Sequence, residues 1–101
     1  MKVELIYEQT CPNIKAAREQ LLKAFNQADI ECHWQEWEVS DNQTPAYARH
    51  YGSPTILIDE IDVAGEKPTD NPNCCRLYVD EKGSFCGVPN INDIVKALST
   101  H

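Results

Sequence analysis

Thr10-Cys11-Pro12-Asn13 holds the residue types best placed for chemistry in this chain. The tetrapeptide falls where a short apolar run, Val3, Leu5, Ile6 and Tyr7, gives way to helical spacing. Ile14, Ala17, Leu21, Leu22, Phe25 and Ala28 recur on one helical face, which predicts an amphipathic helix from Pro12 to about Ala28, ending near Asp29. Pro12 suits the first helical position, because its missing N–H has no partner there and its φ is already helical. Cys11 then stands close to the N-cap. Unpaired N–H groups and the positive end of the helix dipole favour its thiolate over its thiol. Lys15, one turn on, adds to that effect, and Glu8 opposes it wherever its carboxylate comes near.

The other thiols decide what Cys11 can do. The chain has five cysteines, an odd number: Cys11, Cys32, Cys74, Cys75 and Cys86. No Cys-x-x-Cys occurs, which argues against a structural zinc site. Cys74 and Cys75 read either as two unrelated thiols at a strand start or as partners of Cys11. As partners they act as a resolving thiol, or with Cys11 and Cys86 as ligands for mercury(II), copper(I) or zinc, ions that accept sulfur. Neighbours in an extended chain point oppositely, so at most one of Cys74 and Cys75 faces Cys11. Cys32, beside Trp34, reads as a core residue of a strand. His33 and His50 have no partner at ligand spacing and are assigned to solvent or core.

The elements that must position these groups fit one domain, residues 1–101. Hydrophobic content of 42% with 25% charged residues is ordinary for a soluble globular chain. A net charge of −7 argues against a nucleic-acid partner, because phosphate neutralisation needs a basic face. Neither a membrane span nor a basic amphipathic helix is present, so no membrane partner is expected. Met1-Lys2-Val3-Glu4 lacks the apolar run of a signal peptide, and the expected location is cytoplasmic, where thiols stay reduced.

Beyond the first helix, His33 to Val39 is a predicted strand with Trp37 and Val39 turned to the core. The acidic run Glu36 to Asp41 reads as a solvated edge. Thr44-Pro45 starts a short helix that Gly52 closes. Ser53-Pro54-Thr55 leads into Ile56-Leu57-Ile58, an interior strand. Asp59-Glu60 is a hairpin turn with Ile61 to Ala64 returning. Glu66 to Asn73 is irregular, and Asp80-Glu81-Lys82-Gly83 turns between Arg76–Val79 and Ser84–Cys86. The last helix starts near Asn90, with Asp93 as capping acceptor, and buries Ile91, Ile94, Val95 and Leu98. The strand–helix–strand start implies a parallel pair with a right-handed crossover, and the hairpins make the sheet mixed.

That order, with Cys11-Pro12 opening the first helix and Gly52-Ser53-Pro54-Thr55 before an interior strand, resembles the thioredoxin and glutaredoxin superfamily. The resemblance covers Lys2 to Gly65 and the closing helix, and implies an α/β, thioredoxin-like fold with an inserted loop and hairpin. It implies a cis Pro54 beside Cys11, with the backbone around Ser53, Pro54 and Thr55, and the flanking Thr10 and Pro12, holding a thiol- or disulfide-bearing small molecule or protein. The family's second motif cysteine is replaced here by Ile14. The implied activity is then thiol–disulfide exchange at Cys11, resolved by Cys74, Cys75 or an external thiol such as glutathione, with no resident cofactor required. Cys74-Cys75-Arg76-Leu77-Tyr78 also resembles a segment of small uncharacterised proteins associated with mercury handling. The two other readings are a thiophilic metal binder and an interaction module that has lost the activity.

Overall fold

A computed structural model describes residues 1–72, 76–80 and 82–99. In chain order the elements are β1 (Val3–Tyr7), α1 (Ile14–Ala28), β2 (Gln35–Glu38), a 3₁₀ helix (Ala46–His50), β3 (Thr55–Ile58), β4 (Ile61–Asp62), β5 (Tyr78–Val79), β6 (Phe85–Cys86) and α2 (Ile91–Ser99). The architecture is mixed α/β. Four strands form a sheet in the order β2-β1-β3-β4, and β5 and β6 form a separate hairpin. β1 runs parallel to β2 and antiparallel to β3, and β3 runs antiparallel to β4.

Strand alternation divides the sheet into two unlike faces. Val3 lies opposite Ile58 and Leu5 opposite Ile56. These four meet Ala17, Leu21, Ala24 and Phe25 of α1 and Ile94 and Leu98 of α2 in the larger core. The intervening residues Ile6 and Leu57 turn to the other face, against Ala48 and Tyr51, with Trp37, Val39 and Tyr47 at the margin. Glu4 sits opposite Leu57 on that second face and is fully buried. It accepts hydrogen bonds from Trp37 Nε1 at 2.7 Å and from the Tyr47 hydroxyl, with Lys2 Nζ 3.8 Å from its other oxygen. The apolar reading of β1 leaves this carboxylate out.

Several expectations need correction. α1 begins at Ile14, two residues later than predicted, because Asn13 is the cap residue, with φ −101° and ψ 7°. Leu22 is 47% exposed and Ala24 takes its place in the core. Cys32 is exposed and precedes β2 in irregular chain, so it is not a core strand residue. Thr44 does not cap the 3₁₀ helix, because its hydroxyl donates to the Glu38 carbonyl instead. β4 ends at Asp62, two residues short of Ala64. At α2 the capping acceptor is Asn90 Oδ1, which takes the Asn92 N–H at 2.7 Å, rather than Asp93. The Asp59-Glu60 turn is present with φ of 51° and 67°, the left-handed pair a two-residue hairpin turn requires.

The run Glu36 to Asp41 is more than a solvated edge. Glu36 accepts two hydrogen bonds from the Arg18 guanidinium, at 2.9 and 2.8 Å, and one from Trp34 Nε1 at 2.9 Å. Those bonds, the Arg18 pair foremost, hold the Glu36 carboxyl below the usual carboxylate range. Glu38 accepts from Gln9 N–H at 3.1 Å and ties β2 to the loop after β1.

Candidate functional site

Cys11 lies in the loop between β1 and α1, at the end of β1 where Tyr7 pairs with Glu38. Its residue is buried, 7% exposed, between an exposed Thr10 and an exposed Pro12. The Cys11 N–H donates to the Glu8 carbonyl at 2.9 Å, closing a turn. Cys11 therefore stands two residues outside the cap of α1. Pro12 accordingly lies outside the helix rather than at its first position, and Cys11 is near the cap without being the cap residue. Thr10 faces back on this turn, its hydroxyl donating to the Glu8 carboxylate at 3.1 Å.

Glu8 also joins the loop to the segment before β3. Its N–H donates to Ser53 Oγ at 2.9 Å while its carbonyl accepts from Cys11. One peptide-length bridge thus fixes the Cys11 turn against Ser53. The Ser53–Pro54 peptide is cis, as the family resemblance implied. Ser53, Pro54 and Thr55 are all buried. Thr55 donates its hydroxyl proton to the Gly52 carbonyl at 2.6 Å, which keeps its oxygen facing the next layer.

That layer is a clasp no sequence signal pointed to. The Arg76 N–H donates to the Ser53 carbonyl at 2.8 Å, and the Tyr78 hydroxyl donates to the Pro54 carbonyl. The Arg76 side chain, 6% exposed, runs under the site: Nη1 lies 2.9 Å from Thr55 Oγ1 and 3.0 Å from Asp62 Oδ2, and Nη2 lies 2.9 Å from Glu66 Oε2. The guanidinium sits 4.4 Å from the centroid of the Tyr78 ring. Two carboxylates compensate one buried cation, which is what makes its desolvation tolerable. Arg76 Nε is buried without a hydrogen-bond partner among the described residues. Burial pushes the Tyr78 phenol well above its ordinary range. Within Arg76-Leu77-Tyr78 the polar–apolar–aromatic alternation was visible, but the burial of an arginine depends on Asp62 and Glu66, residues a strand pattern does not link to it.

Cys74 and Cys75 lie outside the described residues. Cys86 is half-buried, opposite Tyr78 in the β5–β6 hairpin, and its Sγ lies 3.3 Å from the Val88 carbonyl. Gly87 beside it packs on Asn13, the cap residue of α1; a Cβ there would approach Asn13 Nδ2 to 2.2 Å. The hairpin end therefore returns to the start of α1, and Cys86 lines a cavity of about 280 Å³ with Gln20 and Pro89. Cys11, Cys32 and Cys86 are free thiols. Among the described residues no three histidine, cysteine or carboxylate side chains gather as a metal site would need. His33 and His50 are exposed, and His50 Nδ1 lies 3.2 Å from the Thr69 carbonyl. No helix of the described residues is long and apolar enough to cross a membrane. Comparison with protein-family models, with curated proteins and with solved structures finds no match to this chain.

Proposed function

We propose that the chain is a thioredoxin-like thiol–disulfide oxidoreductase in which Cys11 is the reacting thiol. The observation that carries this reading is the Glu8 bridge, which holds the Cys11 turn to Ser53: the Glu8 N–H donates to the Ser53 hydroxyl and the Glu8 carbonyl accepts from the Cys11 N–H. A buried cysteine serving only as filler needs no such fixing, whereas a nucleophile gains from a fixed approach. The strand order β2-β1-β3-β4, with β1 and β2 parallel and β3 antiparallel, supports the thioredoxin-like assignment.

In the forward step the Cys11 thiolate attacks one sulfur of a disulfide. The Cys11–S bond forms as the substrate S–S bond breaks, and the departing thiolate takes a proton from water. An external low-molecular-weight thiol such as glutathione then attacks the substrate sulfur of the mixed disulfide and returns Cys11 as thiolate. Alternatively Cys74 or Cys75 attacks Cys11 Sγ, releases the bound thiol and leaves a disulfide to Cys11, which two external thiols reduce. Cys75 precedes Arg76 in sequence, the residue whose N–H reaches Ser53. The working compartment is a reducing one such as the cytoplasm.

The test is turnover of bis(2-hydroxyethyl) disulfide by glutathione, with the protein substoichiometric. Wild type is expected to turn over and Cys11→Ser to fall to the uncatalysed rate. Equal rates for the two proteins would sink the proposal. Alkylation of each cysteine across pH, read by peptide mass, then shows whether Cys11 titrates below the unperturbed thiol value of about 8.5.

A further inference from the structure

The clasp bears on what can reach Cys11. A polypeptide held beside a thiol site is gripped through backbone hydrogen bonds, because carbonyls on an extended segment are the acceptors common to every sequence. On the segment that Glu8 joins to the Cys11 turn, the backbone acceptors are the carbonyls of Ser53 and Pro54, and both are already engaged from within the chain. Arg76 N–H takes the Ser53 carbonyl and the Tyr78 hydroxyl takes the Pro54 carbonyl. The segment that does this is itself pinned. Asp62 and Glu66 grip Arg76 from two sides, Thr55 accepts from it, and the Tyr78 ring lies against it. Displacing the segment would expose a paired cation together with a fully buried Asp62 carboxylate, a rearrangement disfavoured by the desolvation of both.

We infer that residues Arg76 to Tyr78 occupy the backbone edge of the thiol site and restrict Cys11 to low-molecular-weight disulfides, excluding extended polypeptides. This inference rests on the thiol reading above and adds the substrate class to it. Arg76 and Tyr78 are positioning residues here: neither touches the reacting sulfur. Small disulfides need no strand pairing, and the narrow exposure left at Cys11, 7%, suits them.

The experiment compares two probes on the reduced full chain. One is bis(2-hydroxyethyl) disulfide. The other is a short unstructured peptide whose single cysteine is capped as a disulfide with 2-mercaptoethanol, so the two probes share a 2-mercaptoethanol half. Consumption of the Cys11 thiol is read by peptide mass after alkylation, with free glutathione as the unselective reference. Relative to glutathione, wild type is expected to prefer the small probe by about tenfold or more, the range a few blocked contacts can produce. Tyr78→Phe, which frees the Pro54 carbonyl, and Glu66→Gln, which loosens Arg76, are each expected to shrink that preference several-fold. If wild type shows the preference of glutathione itself, or both variants keep the full wild-type preference, the substrate-class inference is overturned while thiol chemistry at Cys11 stands. If Cys11 reacts with neither probe, the thiol reading fails and this inference falls with it.

Discussion

The two faces of the central sheet are built on different physics. Under α1 and α2 the packing is uniformly apolar, and Leu5, Leu21, Ile56, Ile94 and Leu98 are wholly buried. Among the described residues the opposite face is covered by the 3₁₀ helix and by Arg76 to Tyr78, with no long helix, and it carries two buried ionic groups, Glu4 and the Asp62–Arg76 pair. Long amphipathic helices bring enough apolar side chains to seal a sheet; a five-residue 3₁₀ helix does not. Where oil runs short, hydrogen-bonded side chains complete the cover: Trp37 and Tyr47 on Glu4, and Thr55, Tyr78 and Glu66 around Arg76. The lesson is one of tolerance. An apolar face accepts many sequences of similar volume, while a polar face depends on each partner being present.

That contrast can be broken at several points. The largest effect belongs to Arg76→Met, which leaves the buried Asp62 carboxylate without its cation and should cost about 3–5 kcal/mol in urea unfolding. Adding Asp62→Asn should return part of that loss, with a coupling of about 0.5–3 kcal/mol in a double-mutant cycle. Additive losses would mean the two side chains do not act as a pair. Leu21→Ala on the apolar face should cost about 2–5 kcal/mol through the cavity it leaves, and no second substitution among polar neighbours should restore it. Glu4→Gln keeps one acceptor oxygen but loses the charge beside Lys2, and about 1–3 kcal/mol is expected.

The smallest effects come from pH and have opposite signs on the two faces. Glu36, at the edge of the apolar face, titrates lower in the folded chain because of Arg18. Its contribution is complete above the unfolded carboxyl value of 4.5 and disappears as pH falls through the lower folded value. Tyr78, within the clasp, titrates higher because of burial. Its contribution is complete below the unfolded value of 10.0 and disappears as pH rises toward the folded one. Melting temperatures across pH should therefore show a shallower acid slope in Arg18→Met and a shallower alkaline slope in Tyr78→Phe, with Glu38, Tyr47 and Tyr51 keeping the remainder. Unchanged slopes in both would remove the contrast at this level.

The apolar face was largely legible in the sequence. Helical spacing found Ala17, Leu21 and Phe25, and the continuous run Ile56-Leu57-Ile58 marked the central strand. Leu22 was misplaced because it sits at the margin of the helical stripe, where Ala24 competes with it. The polar face was nearly illegible. Glu4 is a charged residue in a strand, and what lets it be buried is Tyr47 and Trp37, brought from two distant stretches, with Lys2 just before it in the chain. Arg76 is the same case. At the site, Cys11 could be named from local chemistry and Ser53-Pro54 from the family resemblance, whereas the Glu8 bridge joins a main-chain N–H to the Ser53 hydroxyl far along the chain, a pairing that no local pattern marks.

Gly87 against Asn13 has a consequence for the order in which the molecule is completed. α1 is seated by residues made late in synthesis: Gly87 on its cap residue Asn13 and the Pro89 carbonyl on Gln20. Contacts of such long sequence separation form slowly and need most of the chain to be present. A nascent chain that ends at β3 carries Cys11 and Ser53 but not yet Arg76 and Tyr78, so the donors that engage the Ser53 and Pro54 carbonyls arrive only with the later part of the chain.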